Sequence, residues 1–269
     1  MTAVSRSYAW VEGGQIHYRV AGNTDRMPLV LLHQTPSTSA MYLPLMAELA
    51  SDFYLLAPDT PGFGNSDRLP GECTIAGFSR QLLAFLQALK IERCLLFGHH
   101  TGAAIAVQMA SDEPQRFAAL ALSGPTLLSE RQRQTLPDTA SPYARDDSGT
   151  HLQKMWQRIR AKDTNAPAAL IERETLSAIE CGDYYQASYR AVCAQDYQAQ
   201  LRALNCPVLA FAGDNDSLAA AVTPTLELLR DGHTDKLPPG AGTYACESHA
   251  PALAELLREF FNRVPINED

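Results

Sequence analysis

Positive charge is scarce in this chain: 22 Lys and Arg stand against 30 Asp and Glu, a net charge of −8. That balance suits neither a nucleic-acid backbone nor an anionic membrane surface, so neither is expected as a partner. Long apolar runs are also missing. No stretch of the sequence approaches the roughly 20 apolar residues that a membrane-spanning helix needs. The opening Met1-Thr2-Ala3-Val4-Ser5-Arg6-Ser7 has no apolar segment, so a secretory leader is not expected. Cysteine is present but unclustered: Cys73, Cys94, Cys181, Cys193, Cys206 and Cys246 form no C-x-x-C pair. The spacing argues against a thiolate zinc site and predicts reduced thiols in a cytoplasmic protein. Internal repeats and low-complexity tracts are absent.

What remains is an ordinary globular composition, 46% hydrophobic and 19% charged over 269 residues, enough for one α/β domain with an insertion. Tyr8 to Val11 and Gln15 to Ala21 flank a Gly-Gly turn and read as a hairpin. Leu29 to Leu32, Phe53 to Ala57, Cys94 to Phe97 and Phe117 to Leu122 are short continuous apolar runs, as expected of strands covered on both faces. Between them, Ser39 to Leu49, Ile75 to Leu89 and Ala103 to Ala110 have helical apolar spacing. The alternation predicts a mainly parallel, doubly wound α/β sheet. It breaks over residues 126–203, where helices such as Leu152 to Ile159 and Ala168 to Ile179 are separated by polar linkers. It resumes at Val208 to Ala212, with a helix Thr225 to Arg230, a weak strand Asp235 to Leu237 and a last helix Ala252 to Phe261. The reading is a core of residues 1–125 and 204–269 with a helical cap, or lid, at 126–203.

In such sheets chemistry gathers at the carboxyl ends of strands. One of these ends stands out. Gly98-His99-His100-Thr101-Gly102 follows an apolar strand and leads into a small-residue helix. It has the frame of a nucleophile elbow, G-x-S-x-G, with His100 in the central slot. The other strand ends supply His33-Gln34-Thr35-Pro36, Asp59 to Ser66, and Gly213-Asp214-Asn215-Asp216, while Glu247-Ser248-His249 precedes the last helix.

Taken together, these segments resemble the α/β-hydrolase fold superfamily over nearly the whole length. His33 to Pro36 is similar to its H-G-x-P oxyanion loop, with Gln34 where Gly is usual. Asp59 to Ser66 is similar to its D-x-x-G-x-G-x-S loop. Asp216 falls at the position of the acid and His249 at that of the base, in the order the fold uses. The resemblance implies a cap, a pocket between cap and sheet, and a small-molecule substrate. It also implies an oxyanion hole from the amides of Thr101 and Thr35.

A histidine in the central slot opens three mechanisms. His100 forms an acyl-imidazole that water activated by His249 resolves; or a His100–His249 pair moves protons without a covalent intermediate; or His33, His100 and His249 converge on a metal. In the first two, Asp216 holds Nδ1–H of His249, giving a His100–Asp216–His249 triad. His33 and His99 read as structural, Asp59 as a loop organiser, and no partner is evident for His17. Gln34, His33, Trp156 and Tyr185 are candidate pocket residues, with Tyr184 and Tyr189 nearby in sequence. The leading expectation is a cofactor-independent hydrolase of an ester, lactone or C–C bond. The alternatives are a lyase, isomerase or cofactor-free oxygenase that uses the histidine pair, and a ligand-binding pseudoenzyme. Nothing in the sequence predicts the oligomeric state.

Overall fold

Apolar runs that fill both faces of a sheet need a layer of helices on each side, and the computed structural model supplies both. It describes residues 3–264, so Met1 and Thr2, the start of the segment read for a leader, lie outside it. In chain order the first elements are β1 (Ser5–Val11), β2 (Gly14–Ala21), β3 (Pro28–Leu32), α1 (Leu43–Leu49), β4 (Tyr54–Pro58), α2 (Ile75–Ala88), β5 (Cys94–His99), α3 (Thr101–Asp112) and β6 (Phe117–Ser123). Five helices follow: α4 (Glu130–Thr139), α5 (Thr150–Arg160), α6 (Ala168–Cys181), α7 (Tyr184–Ala194) and α8 (Tyr197–Ala203). The chain then returns through β7 (Val208–Phe211), α9 (Val222–Leu226), β8 (Gly232–His233), α10 (Ala245–Ser248) and α11 (Ala250–Arg263).

The eight strands form one sheet in the order β1-β2-β4-β3-β5-β6-β7-β8. β1 and β2 pair antiparallel, as do β2 and β4; every other pair is parallel. Alternation along each strand feeds two cores. Cys94 and Leu96 of β5 join α2, α3 and the helical insertion on one side, while Leu95 and Phe97 join α1 and α11 on the other. This is the α/β-hydrolase architecture, a mostly parallel mixed sheet with a helical insertion.

Two expectations near the chain end are corrected. Asp235 to Leu237 forms no strand; the pairing is Gly232–His233 against Val208–Leu209. That parallel register brings Asp235 level with Phe211, where β7 stops, so the ladder has no partner left for the residues that follow. The helix expected at Thr225 to Arg230 lies earlier, at Val222–Leu226. Among the described residues no helix is long and apolar enough to cross a membrane. All six cysteines are free, and burial pushes the Cys94 thiol up to about 12, a poor nucleophile.

Candidate active site

His100 sits where β5 turns into α3, and it does so with φ 51° and ψ −112°. A non-glycine residue there carries strain of about 1–3 kcal/mol, held only by surrounding bonds. Its N–H donates to the Ser123 carbonyl (2.9 Å), and its carbonyl accepts from the N–H groups of Ala103 (2.8 Å) and Ala104 (3.1 Å). Gly102 completes the turn: a Cβ there would collide with the Leu32 carbonyl, so only glycine lets α3 start this close to β3.

The turn aims the imidazole at the end of β7. His100 Nε2 lies 2.8 Å from Asp216 Oδ2 and 3.0 Å from Oδ1, so Nε2–H donates to the carboxylate. Burial by itself would push the Asp216 carboxyl up; the adjacent imidazoles of His100 and His99 and the Leu218 N–H hold it well below the usual carboxylate range. The Nε2–Cδ2 edge of the ring fits against Gly124, where a Cβ would stand 2.6 Å from Nε2. The opposite edge carries Nδ1. It has no hydrogen-bond partner among the described residues and is not sealed from solvent; the side chain as a whole is 15% exposed.

Beneath it lies His99, fully buried and stacked on His100 with ring centroids 4.2 Å apart. Its Nε2–H donates to the Thr243 carbonyl (2.8 Å), and Nδ1 accepts from Ser123 Oγ (3.0 Å). Burial first, and the neighbouring His100 second, depress it to about 3, so it is neutral at physiological pH.

His249 stands apart from this pair. Asp216 accepts from His100 and not from His249, whose Nδ1 shares a 2.8 Å hydrogen bond with Ser248 Oγ. It lines a neighbouring cleft of about 480 Å³ with Tyr244 and Asn165, a cleft that shares Lys162 and Asn215 with the space beside His100. The short α10 carries the chain past the site before His249 is reached, and the residue that borders the His100 cavity from this segment is Thr243. The expected Asp216–His249 hydrogen bond and His100–His249 pair are therefore not formed.

Nor does the structure assemble His33, His100 and His249 around a common point. Both nitrogens of His33 are spent, Nδ1–H donating to the Gln34 carbonyl and Nε2 accepting from the Thr60 N–H, each at 2.8 Å. Burial lowers its pKa. Among the described residues one group of metal-type donors does converge: His99, His100 and Asp216. Their hydrogen bonds to Ser123, Thr243 and one another already use every nitrogen but His100 Nδ1.

Two connected spaces meet at His100. One, of about 190 Å³, is lined by Thr35, Thr101, Thr126, Leu136 and Tyr189. The other, of about 370 Å³, is lined by Lys162, Asn215, Asp216 and Thr243. Thr101 is the first residue of α3, so its N–H has no intrahelical acceptor and lies at the positive end of the helix. Thr35 is buried at the same cavity, its carbonyl accepting from Tyr189 OH at 3.3 Å. Gln34 is buried, and its side-chain oxygen finds no partner among the described residues. Tyr185 lies behind Tyr189, ring centroids 5.1 Å apart, rather than at the cavity wall. Trp156 lines an outer groove between α5 and α6 with Leu152 and Leu176, away from His100. Lys162 and Thr243 were missed from the sequence. Neither belongs to a recognisable motif, and each reaches the site through a connection whose path is set by packing.

Comparison with known proteins agrees with this architecture. The family model described as the alpha/beta hydrolase fold matches residues 27–250. A relative, an uncharacterized hydrolase of Saccharomyces cerevisiae, is 24% identical over 93% of this chain and 94% of its own. Among solved structures, a thermophilic esterase from Thermogutta terrifontis superposes with a TM-score of 0.80 at 20% identity, covering 97% of this chain and 99% of its own. The enol-lactonase of Burkholderia xenovorans gives 0.81 at 19% identity, over 96% of this chain and all of its own (100%).

Proposed function

The chain belongs to the α/β-hydrolase fold family, and on that footing we propose that it is a cofactor-independent hydrolase of a small carbonyl compound whose base is a His100–Asp216 dyad. Residues 126–203 act as the cap over its pocket. The observation that carries the reading is the split use of one imidazole: Nε2 is tied to a buried carboxylate, while Nδ1 has no partner among the described residues, in a side chain that lines the cavity.

With the proton on Nε2, Nδ1 presents a lone pair. Asp216 fixes that tautomer and stabilises the imidazolium that forms when Nδ1 takes a proton. Nδ1 is one bond from the branch point of the ring and more hindered than Nε2, so it serves as a general base on water rather than as an acylated nucleophile. Water loses a proton to Nδ1 as its oxygen bonds to the substrate carbonyl carbon. The oxyanion is met by the N–H groups of Thr101 and Thr35. On collapse the C–O bond of an ester, or the bond to the leaving carbon, breaks, and Nδ1–H returns its proton to the departing group. General-base assistance of this kind is worth about 10²–10⁴-fold. His249 takes no part.

Hydrolysis of p-nitrophenyl acetate in H₂¹⁸O tests the reading. The expected result is ¹⁸O in the acetate and a loss of about 1,000-fold in His100→Ala. Wild-type rates preserved in His100→Ala would remove the dyad from the mechanism. Turnover of a carbonyl substrate without ¹⁸O uptake would place the protein among proton-transfer enzymes of the same fold instead.

A further inference from the structure

The insertion contributes one cation to the His100 cavity. Lys162, on the connection between α5 and α6, borders the space that also holds His100, Asn215, Asp216 and Thr243. Its Nζ donates to Tyr189 OH at 3.4 Å and to the Thr35 carbonyl at 3.5 Å, and lies 5.4 Å from the centre of the Tyr185 ring. These partners are neutral and the two hydrogen bonds are long. Among the described residues no carboxylate lies within ion-pair distance of this ammonium.

The side chain is half-buried, so the ammonium is partly withdrawn from water without an anion to compensate it. Arg173, also in the insertion, shows the ordinary solution: it holds Glu174 and Glu247 together, at 2.7 Å to each. The acids near Lys162 are already committed or turned away. Asp216 is bound to His100 and the Leu218 N–H. Asp214 is exposed at the rim, its Oδ1 accepting from the Gly240 N–H. The cavity therefore has a base at one wall and an unneutralised cation at another, with Tyr189 between the cation and the Thr35 loop.

We propose that Lys162 is a specificity residue that binds a carboxylate of the substrate, so that the natural substrate is a small ester or lactone bearing a second, free acid group. The reacting carbonyl then sits at His100 and the free carboxylate at Lys162 Nζ. The reacting end of this assignment rests on the hydrolase reading above; the carboxylate end does not.

Two measurements test it. The first is the ratio of kcat/KM for mono-p-nitrophenyl glutarate to that for p-nitrophenyl valerate. Wild type is expected to prefer the acid at least 10-fold, Lys162→Met to bring the ratio near unity chiefly through KM, and Lys162→Arg to restore part of it. A wild-type ratio at or below one, or a ratio unchanged in Lys162→Met, overturns the proposal. So does an equal loss on both esters, which would mean that Lys162 acts through the Thr35 loop. The second is calorimetric titration with glutarate, which needs no turnover. Binding to wild type and to His100→Ala, weakened at least 10-fold in Lys162→Met, supports the site even if no ester is hydrolysed. Absence of glutarate binding to the wild type overturns it even if the ester chemistry holds.

Discussion

Among the described residues two His–Asp pairs are built to nearly the same dimensions, one buried throughout and one with its imidazole partly open. At the antiparallel side of the sheet, His17 Nδ1 lies 2.8 Å from Asp59 Oδ2; at its centre, His100 Nε2 lies 2.8 Å from Asp216 Oδ2. The difference is in what each ring has left. His17 and Asp59 are each only 2% exposed, His17 Nε2 is sealed away, and Asp59 also accepts from the N–H groups of Ser39 and Asn65. Burial raises the Asp59 carboxyl, but the His17 hydrogen bond, the nearby His33 and the Ser39 and Asn65 N–H groups more than offset it and leave it at about 2. That pair ties loops together. The His100 pair keeps one nitrogen in contact with a cavity. In the function proposed above, access of the second nitrogen, rather than the His–Asp bond, is what distinguishes a base from a brace.

The largest expected effect separates the pairs by substituting each acid. Asp216→Asn should lower kcat/KM for an ester by about 1,000-fold while moving the melting temperature little. Asp59→Ala should do the reverse. It strands His17 and two backbone N–H groups, costing about 3–5 kcal/mol in urea unfolding, while the folded fraction keeps its turnover. A joint loss of activity and stability in both variants would erase the distinction.

Gly124→Ala sharpens it next. Gly124 has φ +60°, and an added methyl would push into the Nε2–Cδ2 edge of His100. Displacing the ring by about 1 Å should cost about 100-fold in rate, with the His17 pair untouched. Acid should then expose the neutral histidine beneath the active pair. His99 binds its proton near pH 6.5 when unfolded and near about 3 when folded. Between these values the unfolded chain holds the extra proton, so stability is full above pH 6.5 and falls as pH drops. The slope is about 1.4 kcal/mol per pH unit from this group alone, and urea titrations at pH 7 and pH 5 read it directly. The smallest effect is expected at His249→Ala, which should change ester turnover by less than about 2-fold, since its ring bonds Ser248 Oγ and not the Asp216 carboxylate. A loss approaching that of His100→Ala would return His249 to the mechanism.

These contrasts also mark how far the sequence could be read. Continuous apolar runs such as Leu29 to Leu32 and Cys94 to Phe97 announce strands covered on both faces, and the glycines around His100 announce a tight strand-to-helix turn, because backbone space is a local demand. Pairing across the sheet is not local. Asp216 stood out in the sequence, but its partner depends on where the chain runs after β8, and the connection before α10 brings Thr243, rather than His249, to the cavity beside His100. His17 gave no sign of its carboxylate because Asp59 arrives from another strand. Lys162 was illegible for the same reason: a lone lysine in a polar connection becomes notable only when packing brings it to the cavity that His100 lines. The aromatic residues of the insertion misled in the opposite direction, with Trp156 spent on an outer groove and Tyr185 on the layer behind Tyr189.

Long-range ¹H–¹⁵N correlation of the histidine rings, with His100 identified by its disappearance in His100→Gln, is the most direct test of which nitrogen is free. In the neutral ring the proton is expected on Nε2 and Nδ1 should be bare. A proton found on Nδ1, with Nε2 bare against the Asp216 carboxylate, would contradict the account at its root.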